Sequence, residues 1–431
     1  MKDMLTKQGD ALSGRPDHFI FHDFRSGREY GLIFNDGNIW KGQRRFTLHV
    51  LRDFGFGRQL MEKKIMAEVC KLIKELGQRA MEKHAAGFDI VPALELCVAN
   101  VISSVLIGHT FDKETKFYTL KRNLDTAVQQ CGKLESIVMA QYPWLRHIPL
   151  LEHFGYDAIN KSKQQLHEFM TNEVKEHQAE FDPEAEPTNY TLSFLKEMYK
   201  GNVSGGSTDD DNNGTFMIWQ LTMAIMDMWI AGLETTVSTM KWAILYMILH
   251  PDVQEECYKE IQALLHDRCA PKELSMSDRT QTPYLTATIS ELQRCANLLP
   301  VNLQHRSTKE VTINGFQIPE GTAILPQISS VLIDERFFPQ PEKFLPSRFL
   351  CEEHGKTILN KEKLDVLIPF SLGKRSCLGE SLARMELYLI FGHLIQHFHF
   401  SLPQGHKKPS TKSIESFVRC PEPYKVDITI R

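Results

Sequence analysis

The sequence predicts a mainly α-helical fold that carries only small β-sheets. Two observations predict this class: apolar residues recur with helical spacing along most of the chain, and strand-like alternation is confined to short pieces. The helical patterns cover residues 58–84, 91–107, 116–133, 157–180, 215–249, 252–266, 286–296 and 379–397. No internal repeat interrupts this series.

The fifth of these segments predicts a helix that is buried on all sides. Residues 216–233 approach the length of a membrane span, but Gln220, Thr222 and Asp227 interrupt the apolar run. The Gly- and Asp-rich residues 201–214 in front of it predict a loop.

The clearest strand pattern is a hairpin. Residues 311–313 and 316–318 both have strand-like composition, and Asn314-Gly315 between them is the preferred pair for a two-residue turn.

Composition places the chain among ordinary soluble globular proteins. Of its 431 residues, 42% are hydrophobic and 24% are charged. The net charge of −4, from 50 basic and 54 acidic residues, favours neither nucleic acid nor an acidic partner. Nine scattered cysteines without a C-x-x-C pair indicate a reducing compartment rather than a disulfide framework.

The most specific pattern lies close to the last predicted helix. Its fixed positions are Phe370, Gly373, Arg375, Cys377 and Gly379. The glycines let the backbone approach a flat ligand closely, and the arginine can hold a carboxylate. Because a helix is predicted to follow, its dipole favours a thiolate at Cys377, and a thiolate can be the axial ligand of a haem iron. The alternative, an ordinary buried cysteine, fits the other eight cysteines.

Residues 231–236 place a glycine, an acid and hydroxyl groups inside the apolar helix. These residues are unfavourable there by helix propensity, and a buried acid costs free energy unless it is paired or protonated. Thr235 can donate a hydrogen bond to the i−4 carbonyl group and bend the helix. The pattern predicts either a bent core helix with a satisfied Glu234 or a functional site.

Together these segments resemble the cytochrome P450 family. Its cysteine loop reads F-x-x-G-x-R-x-C-x-G, and an A-G-x-E-T-T-like element crosses the distal face of its haem. The resemblance covers the whole chain and implies a single cytochrome P450 domain over residues 1–431, with the mainly α fold of that family. Residues 14–16, 40–46 and 294–297 are similar to the microsomal, xenobiotic-metabolising family 2-like branch.

The resemblance implies roles for residues around a haem b. Cys377 would be the metal ligand, Thr235 would hydrogen-bond the bound dioxygen, and Glu234 would relay protons from solvent. Trp40 and Arg44 match a W-x-x-x-R helix whose side chains reach the haem propionates. The residues expected at the cofactor are Cys377, Phe370, Gly373, Arg375, Gly379, Trp40, Arg44, His305, Arg15, Ala231 and Gly232.

A structural triad is also implied. Glu291 and Arg294 form an E-x-x-R pair on one predicted helix, where positions i and i+3 share a face. In the family this pair meets an arginine from a P-E-R-F segment. Here Ser347 replaces the acid of that segment, while Arg348 is kept. The triad is expected to hold the cysteine loop.

The implied reaction inserts one oxygen atom of O2 into a small apolar substrate such as a xenobiotic, a fatty acid or a steroid. We expect the substrate pocket to be lined by Phe19, Phe21, Phe24, Met228, Ala231, Val301, Leu303 and Phe417. The chain carries no flavin or nicotinamide fingerprint, so electrons would come from a separate protein. The resemblance implies NADPH–cytochrome P450 reductase and cytochrome b5 as partners, docking at Lys41, Arg45 and Lys374.

Relatives in this branch begin with a membrane anchor, a Pro-rich hinge, a first helix and the first sheet strands. This chain starts after them, so we expect an N-terminally truncated form without an anchor and with exposed sheet edges. A full-length form would lie on the cytosolic face of the endoplasmic reticulum membrane. Two alternatives stay open: a non-catalytic haem-binding remnant, and a zinc hydrolase built on His393 and His397, which lack the glutamate of H-E-x-x-H.

Overall fold

The computed structural model describes most of the chain. The described residues are 2–16, 30–55, 59–82, 87–111, 115–131, 133–142, 144–145, 148, 156–203, 216–266, 268, 273–414 and 416–431. The predicted pocket residues Phe19, Phe21 and Phe24, and most of the predicted loop 201–214, lie outside this part of the chain.

Helices dominate the described residues, as predicted. They are α1 Gly37–Asp53, α2 Gln59–Met81, α3 Val91–Leu106, α4 Thr115–Cys131, α5 Leu134–Gln141, α6 Tyr156–Ala179, α7 Tyr190–Val203, α8 Ile218–Leu249, α9 Pro251–His266, α10 Pro283–Ala296, α11 Ser329–Leu332, α12 Lys361–Val366 and α13 Glu380–His397. All eight helices predicted from periodicity are confirmed, with ends shifted by a few residues. The short helices α5, α11 and α12, and the longer α1 and α7, lie outside the segments predicted from periodicity.

The strands form small antiparallel pairs, which confirms the second half of the predicted fold class. They are β1 His305–Arg306, β2 Val311–Ile313, β3 Phe316–Ile318, β4 Ala323–Ile324, β5 Leu350–Glu353, β6 Lys356–Leu359, β7 Phe398–Ser401 and β8 Asp427–Ile430. The pairs are β1–β4, β2–β3, β5–β6 and β7–β8.

The predicted hairpin is the pair β2–β3. Asn314 and Gly315 have φ angles of 50° and 84°, the left-handed values that a type I′ turn requires at both positions. A second hairpin, β5–β6, turns at His354 and Gly355 with φ angles of 51° and 72°. Histidine is a weaker turn signal than asparagine, so the pattern did not identify this second hairpin.

Helix α8 runs through the core and is buried on all sides along most of its length, as predicted. Two of its three polar interruptions, Gln220 and Asp227, bind one loop, whereas Thr222 donates to Ile218 within the helix. Asp227 Oδ2 accepts hydrogen bonds from the backbone N–H groups of Leu32 (2.7 Å) and Ile33 (3.0 Å), and Gln220 Oε1 accepts one from Gly31 (2.9 Å). Among the described helices, none combines the length and the apolar character of a bilayer span.

Candidate functional site

One cavity brings together the two segments that the sequence singles out. Its volume is about 280 Å³, and both Cys377 and Thr235 line it. Helix α8 forms one wall, and the cysteine loop with the first turns of α13 forms another. Apolar side chains from other elements complete the wall, among them Leu32, Ile102, Leu106, Leu303, Ile328 and Leu332.

The cysteine loop is held in a constrained conformation. The N–H of Cys377 donates to the carbonyl oxygen of Phe370 (2.9 Å). Gly373 has a φ of 78°, and a Cβ there would overlap the carbonyl oxygen of Leu5. The space beside Gly373 is taken by the N-terminal segment and Gly373 does not line the cavity, so its role beside a flat ligand stays a prediction. Gly379 does line the cavity, and a Cβ there would meet nothing within 4 Å.

Cys377 lines the cavity and is accessible from it, while protein encloses its other sides. Burial raises its pKa, and a hydrogen bond from the backbone of Gly379 and the charge of Arg44 counter only part of that effect. In the protein alone, burial has the larger effect on this thiol, and the thiolate favoured by the start of α13 stays a prediction. A metal cation bound to the sulfur would instead lower the pKa of the thiol, because a coordinating thiol is deprotonated.

Three arginines converge beside the cysteine loop. Arg15 donates through Nε to Ile33 (2.9 Å), Arg44 donates to the carbonyl oxygen of Ser376 (2.6 Å), and Arg375 donates through Nε to Ser13 (2.8 Å). Burial, with mutual repulsion, lowers the pKa of Arg375 to about 8 and that of Arg15 to about 10.

This cationic cluster fits an anionic ligand. The carboxylate of Asp36 is the acid that acts on Arg15 and Arg375, and it already pairs with Arg306 at 2.7 Å. Two buried donors, Arg375 Nη1 and Trp40 Nε1, lack a partner among the described residues. The Arg375 guanidinium also lies 3.5 Å from the centre of the Trp40 ring. Haem propionates would supply the missing acceptors, so the residues present fit the group.

Two other predicted cofactor residues lie at the edges of the site. Phe370 lines the cavity and stacks under the guanidinium of Arg384. His305 is buried, and its Nδ1 lies 2.7 Å from the carbonyl oxygen of Leu12, which requires Nδ1 to carry the proton. Burial and the charge of Arg15 lower the pKa of His305 to about 4. The structure therefore presents a neutral imidazole beside the arginine cluster.

Thr235 faces the cavity together with Ala231 and Gly232. Its Oγ1 donates to the carbonyl oxygen of Ala231 at 2.6 Å, the i−4 bond that the sequence predicts. Helical structure continues through these residues. Gly232 lets α8 approach α3 closely, since a Cβ there would lie 3.3 Å from Ile102.

Glu234 does not line the cavity. It is buried, and its Oε1 lies 3.1 Å from Nζ of Lys121, a lysine of α4 that is only 1% exposed. Glu95 (3.2 Å) and Asp125 complete the group around that ammonium. Burial raises the pKa of Glu234, while the carboxylates more than offset the effect of burial on Lys121, whose pKa is raised. The proton relay through Glu234 stays a prediction, and in this structure Lys121 pairs with the carboxylate outside the cavity wall.

The predicted triad forms as expected. Glu291 is fully buried and accepts from Arg294 Nε (2.7 Å), Arg348 Nε (3.0 Å) and the backbone N–H of Leu345 (2.9 Å). The arginines donate in turn to backbone carbonyl groups of residues 332–343. The triad therefore ties α10 to the segment that leads from α11 to β5.

The pocket predictions have mixed outcomes. Met228, Ala231 and Leu303 line the cavity, whereas Val301 and Phe417 do not and are 44% and 38% exposed. Asp227 and Glu386 line it and were not predicted. Burial of a polar residue inside an apolar helix was the available signal for Asp227. No sequence signal pointed to Glu386, because its segment R-M-E-L reads as an ordinary helical turn.

We expect Asp227→Ala to lower the free energy of unfolding by about 2–6 kcal/mol. The substitution leaves two N–H groups near the cavity, those of Leu32 and Ile33, without an acceptor, at about 1–3 kcal/mol each. Urea unfolding measures the loss. Asp227→Asn, which keeps one acceptor, should lose less; equal losses would mean that these hydrogen bonds do not matter.

The zinc alternative gains no support. His393 is buried, and its Nε2 lies 2.9 Å from the carbonyl oxygen of Leu274. Within the described ranges no group of three or more metal-binding side chains assembles.

Comparison with known proteins agrees with the site. The sequence pattern of the family described as Cytochrome P450 matches residues 1–428. Cytochrome P450 2D26 of Mus musculus is 34% identical over 433 residues, which cover 99% of this chain and 81% of that protein. Cytochrome P450 2D20 of Mesocricetus auratus is 34% identical over 434 residues, covering 100% and 82%. Cytochrome P450 2U1 of Homo sapiens is 32% identical over 434 residues, covering 100% and 75%. The chain therefore belongs to the cytochrome P450 family of haem-dependent monooxygenases.

Proposed function

We propose that this protein oxidises small apolar molecules of the xenobiotic, fatty acid or steroid class. One oxygen atom of O2 would enter a C–H bond or a heteroatom of the substrate, and the other would become water with the uptake of two electrons and two protons. The observation that carries the proposal is the cavity in which Cys377, Thr235 and an apolar wall meet. An apolar wall with few polar groups suits an apolar ligand.

We propose haem b as the form of the cofactor. Cys377 would ligate its iron, and Gly379 would leave room for the ring. Arg375, Trp40 and Arg44 would bind its propionates, with Arg15 and His305 beside them. When bound, the haem would supply dioxygen binding and activation. The chain itself orients the substrate, excludes water and manages protons.

Electrons would arrive from NADPH–cytochrome P450 reductase, with cytochrome b5 as a further donor. Lys41 and Arg45 are exposed and one turn apart on α1, and Lys374 is exposed on the cysteine loop. The hydrogen bond from Arg44 to Ser376 places α1 beside that loop. These cations could attract an acidic donor surface near Cys377. By its family resemblance we place the protein at the endoplasmic reticulum membrane, facing the cytosol.

A compound panel tests this function against the haem-binding remnant. The full chain, loaded with haem, is titrated with candidate substrates, and the difference spectrum is recorded. Reductase, NADPH and O2 are then added, and the product is analysed by mass spectrometry. We expect a spectral shift and an oxygenated product for at least one apolar compound. Spectral binding without product from any compound would favour the remnant.

We expect Thr235→Ala to divert reducing equivalents from product to hydrogen peroxide while haem binding is kept. The hydroxyl would hold a proton donor or a water at the reaction centre, and positioned proton transfer is worth about 10²–10⁴ in rate. The measurement is product formed per NADPH consumed. Thr222→Ala is the matched control, because Thr222 makes the same i−4 bond in α8 (3.1 Å) and does not line the cavity. Equal losses in both variants would mean that the hydroxyl of Thr235 is only structural.

A further inference from the structure

A small polar gap lies between α10 and α13. Its volume is about 10 Å³, close to the roughly 10–15 Å³ that one water-sized group needs. Helix α10 contributes Thr286, Ser290 and Gln293, which are buried and share one face of the helix because they are three or four positions apart. Arg384 of α13 and Arg279, from the segment before α10, complete the polar lining. The gap is therefore walled by buried side chains and carries two cations.

The guanidinium of Arg279 lacks a counter-charge. It pairs with no carboxylate among the described residues, and the groups whose charges act on it are Arg384 and the phenol of Tyr388. Burial and repulsion by Arg384 lower the pKa of Arg279. The acid closest to it in sequence, Asp278, is occupied because it binds Arg268. A desolvated cation without a partner costs free energy, which an anion in the gap would offset.

Arg384 uses only one edge of its guanidinium within the protein. Its Nε and Nη2 both lie 2.9 Å from Oε1 of Glu380, and the group lies 4.9 Å from the centre of the Phe370 ring. Its Nη1 pairs with no group in the described part of the chain. Since a single acid faces two arginines here, the gap keeps a net positive charge.

The amide of Gln293 supplies a further donor. The residue is 7% exposed, yet its amide has no hydrogen-bond partner among the described residues. Buried polar side chains are almost always satisfied, so this amide indicates a site for a ligand or a water. The neighbouring hydroxyl groups are already engaged, because Ser290 Oγ donates to the carbonyl oxygen of Thr286 (2.9 Å) and Tyr388 Oη lies 2.7 Å from Thr282 Oγ1. The donors left at the gap are two guanidinium groups and one amide, a set that favours an anion.

We propose that this gap binds one chloride ion, held by Arg279, Arg384 and the amide of Gln293. A phosphate or sulfate ion is too large for the volume, whereas a chloride ion is only slightly larger than a water molecule. The bound anion would relieve the repulsion between the two arginines and tie the segment before α10 to α13, the helix that follows the cysteine loop. Gln293 also lines the cavity of Cys377, so one side chain would separate the anion from that cavity. The proposal does not depend on which substrate the protein oxidises.

Chloride NMR measures the binding directly. The full chain is loaded with haem and kept reduced and carbon-monoxide-bound, so that the iron offers no site for the anion. Sodium chloride then replaces sodium gluconate at constant ionic strength, which keeps general charge screening constant. We expect excess line broadening that saturates, and about a tenfold decrease of the saturable part in Arg279→Gln. Broadening that does not saturate, or that Arg279→Gln leaves unchanged, would overturn the proposal.

Three further variants separate the gap from general attraction of anions to the surface. Arg336→Gln is the matched control, because this guanidinium is 82% exposed and lies outside the gap, so the broadening should stay. Ser290→Val should fill the gap while both arginines are kept, and the saturable broadening should be lost. Arg279→Lys keeps the charge without the planar fork, so it should bind chloride more weakly than the wild type but more tightly than Arg279→Gln. Full binding in Ser290→Val would mean that chloride does not enter the gap.

The wild-type protein gives two readouts that need no variant to fold. Because an anion that binds only the folded state stabilises it, Tm should rise with chloride at constant ionic strength and follow the NMR titration. Crystals soaked in sodium bromide should show an anomalous peak between Arg279 and Arg384. A Tm that follows ionic strength alone, or crystals without a peak in the gap, would contradict the site. Displacement of the bromide by an equal concentration of phosphate would instead assign a larger oxyanion and refute the choice of chloride.

Discussion

Replacing Cys377 by alanine should abolish both turnover and the red-shifted Soret band of the reduced, carbon-monoxide-bound protein. That band reports a thiolate ligand on haem iron. Cys377 is the cysteine that lines the cavity in the described part of the chain, and it lies beside the arginine cluster that fits the propionates. No other described cysteine can take its place, because none lines that cavity. The measurement is the difference spectrum after reduction, together with haem content per protein.

Two controls sharpen this experiment. Cys351→Ala, in β5 and away from the cavity, should leave spectrum and turnover unchanged. Cys377→Ser keeps the size of the side chain but replaces the sulfur, so it should retain the fold and lose the red-shifted band. An intact band in Cys377→Ala would contradict the assignment of Cys377 as the ligand of the haem iron.

The sequence predicted the parts of the site that lie within short motifs. The loop around Cys377, the pair Trp40 and Arg44, and the Thr235 segment are each continuous, so the resemblance to the family's motifs could identify them. The position of Thr235 on a helix followed from apolar periodicity, which is strong in a long amphipathic or buried helix.

What the sequence could not predict depends on contacts between distant segments. Asp227 binds residues 195 positions away, and Glu386 binds Thr236 across 150 positions. Nothing local distinguishes such an acid from one on the surface. Glu234 shows the same limit. The motif indicated a buried acid, but it could not identify the lysine that pairs with that acid.

Gly373 has a structural requirement that the motif did not reveal. The glycine is required by its left-handed backbone and by Leu5, a residue of the N-terminal segment. A pattern of residues records that a Cβ is excluded, whereas only the packed structure identifies the atom that excludes it.

Breaking the triad should cause a large loss of stability. We expect Glu291→Ala to lower the free energy of unfolding by about 3–5 kcal/mol, the usual result of leaving buried charges without their partner. The carboxylate is fully buried and accepts from two arginines and one backbone N–H group, so its removal leaves all three donors unsatisfied. Urea unfolding of the two proteins under the same conditions measures the difference.

Glu256→Ala is the matched control. Glu256 and Lys259 form an i, i+3 pair at 2.8 Å on α9, the same spacing as in the triad, but their side chains are 54% and 61% exposed. An exposed pair contributes about 0–1 kcal/mol, so spacing is held constant while burial changes. Equal losses in the two variants would mean that burial of the triad does not determine its contribution.

Glu291→Ala also separates a structural role of the triad from a chemical one. The triad bonds to residues 332–345 and does not line the cavity, so the fraction of Glu291→Ala that folds and binds haem should show an unshifted Soret band. A total stability of about 5–15 kcal/mol leaves little margin after such a loss, so the folded fraction itself should be smaller. A shifted band in the folded fraction would instead mean that the triad sets the geometry at Cys377, because only a change at the ligand would alter the spectrum.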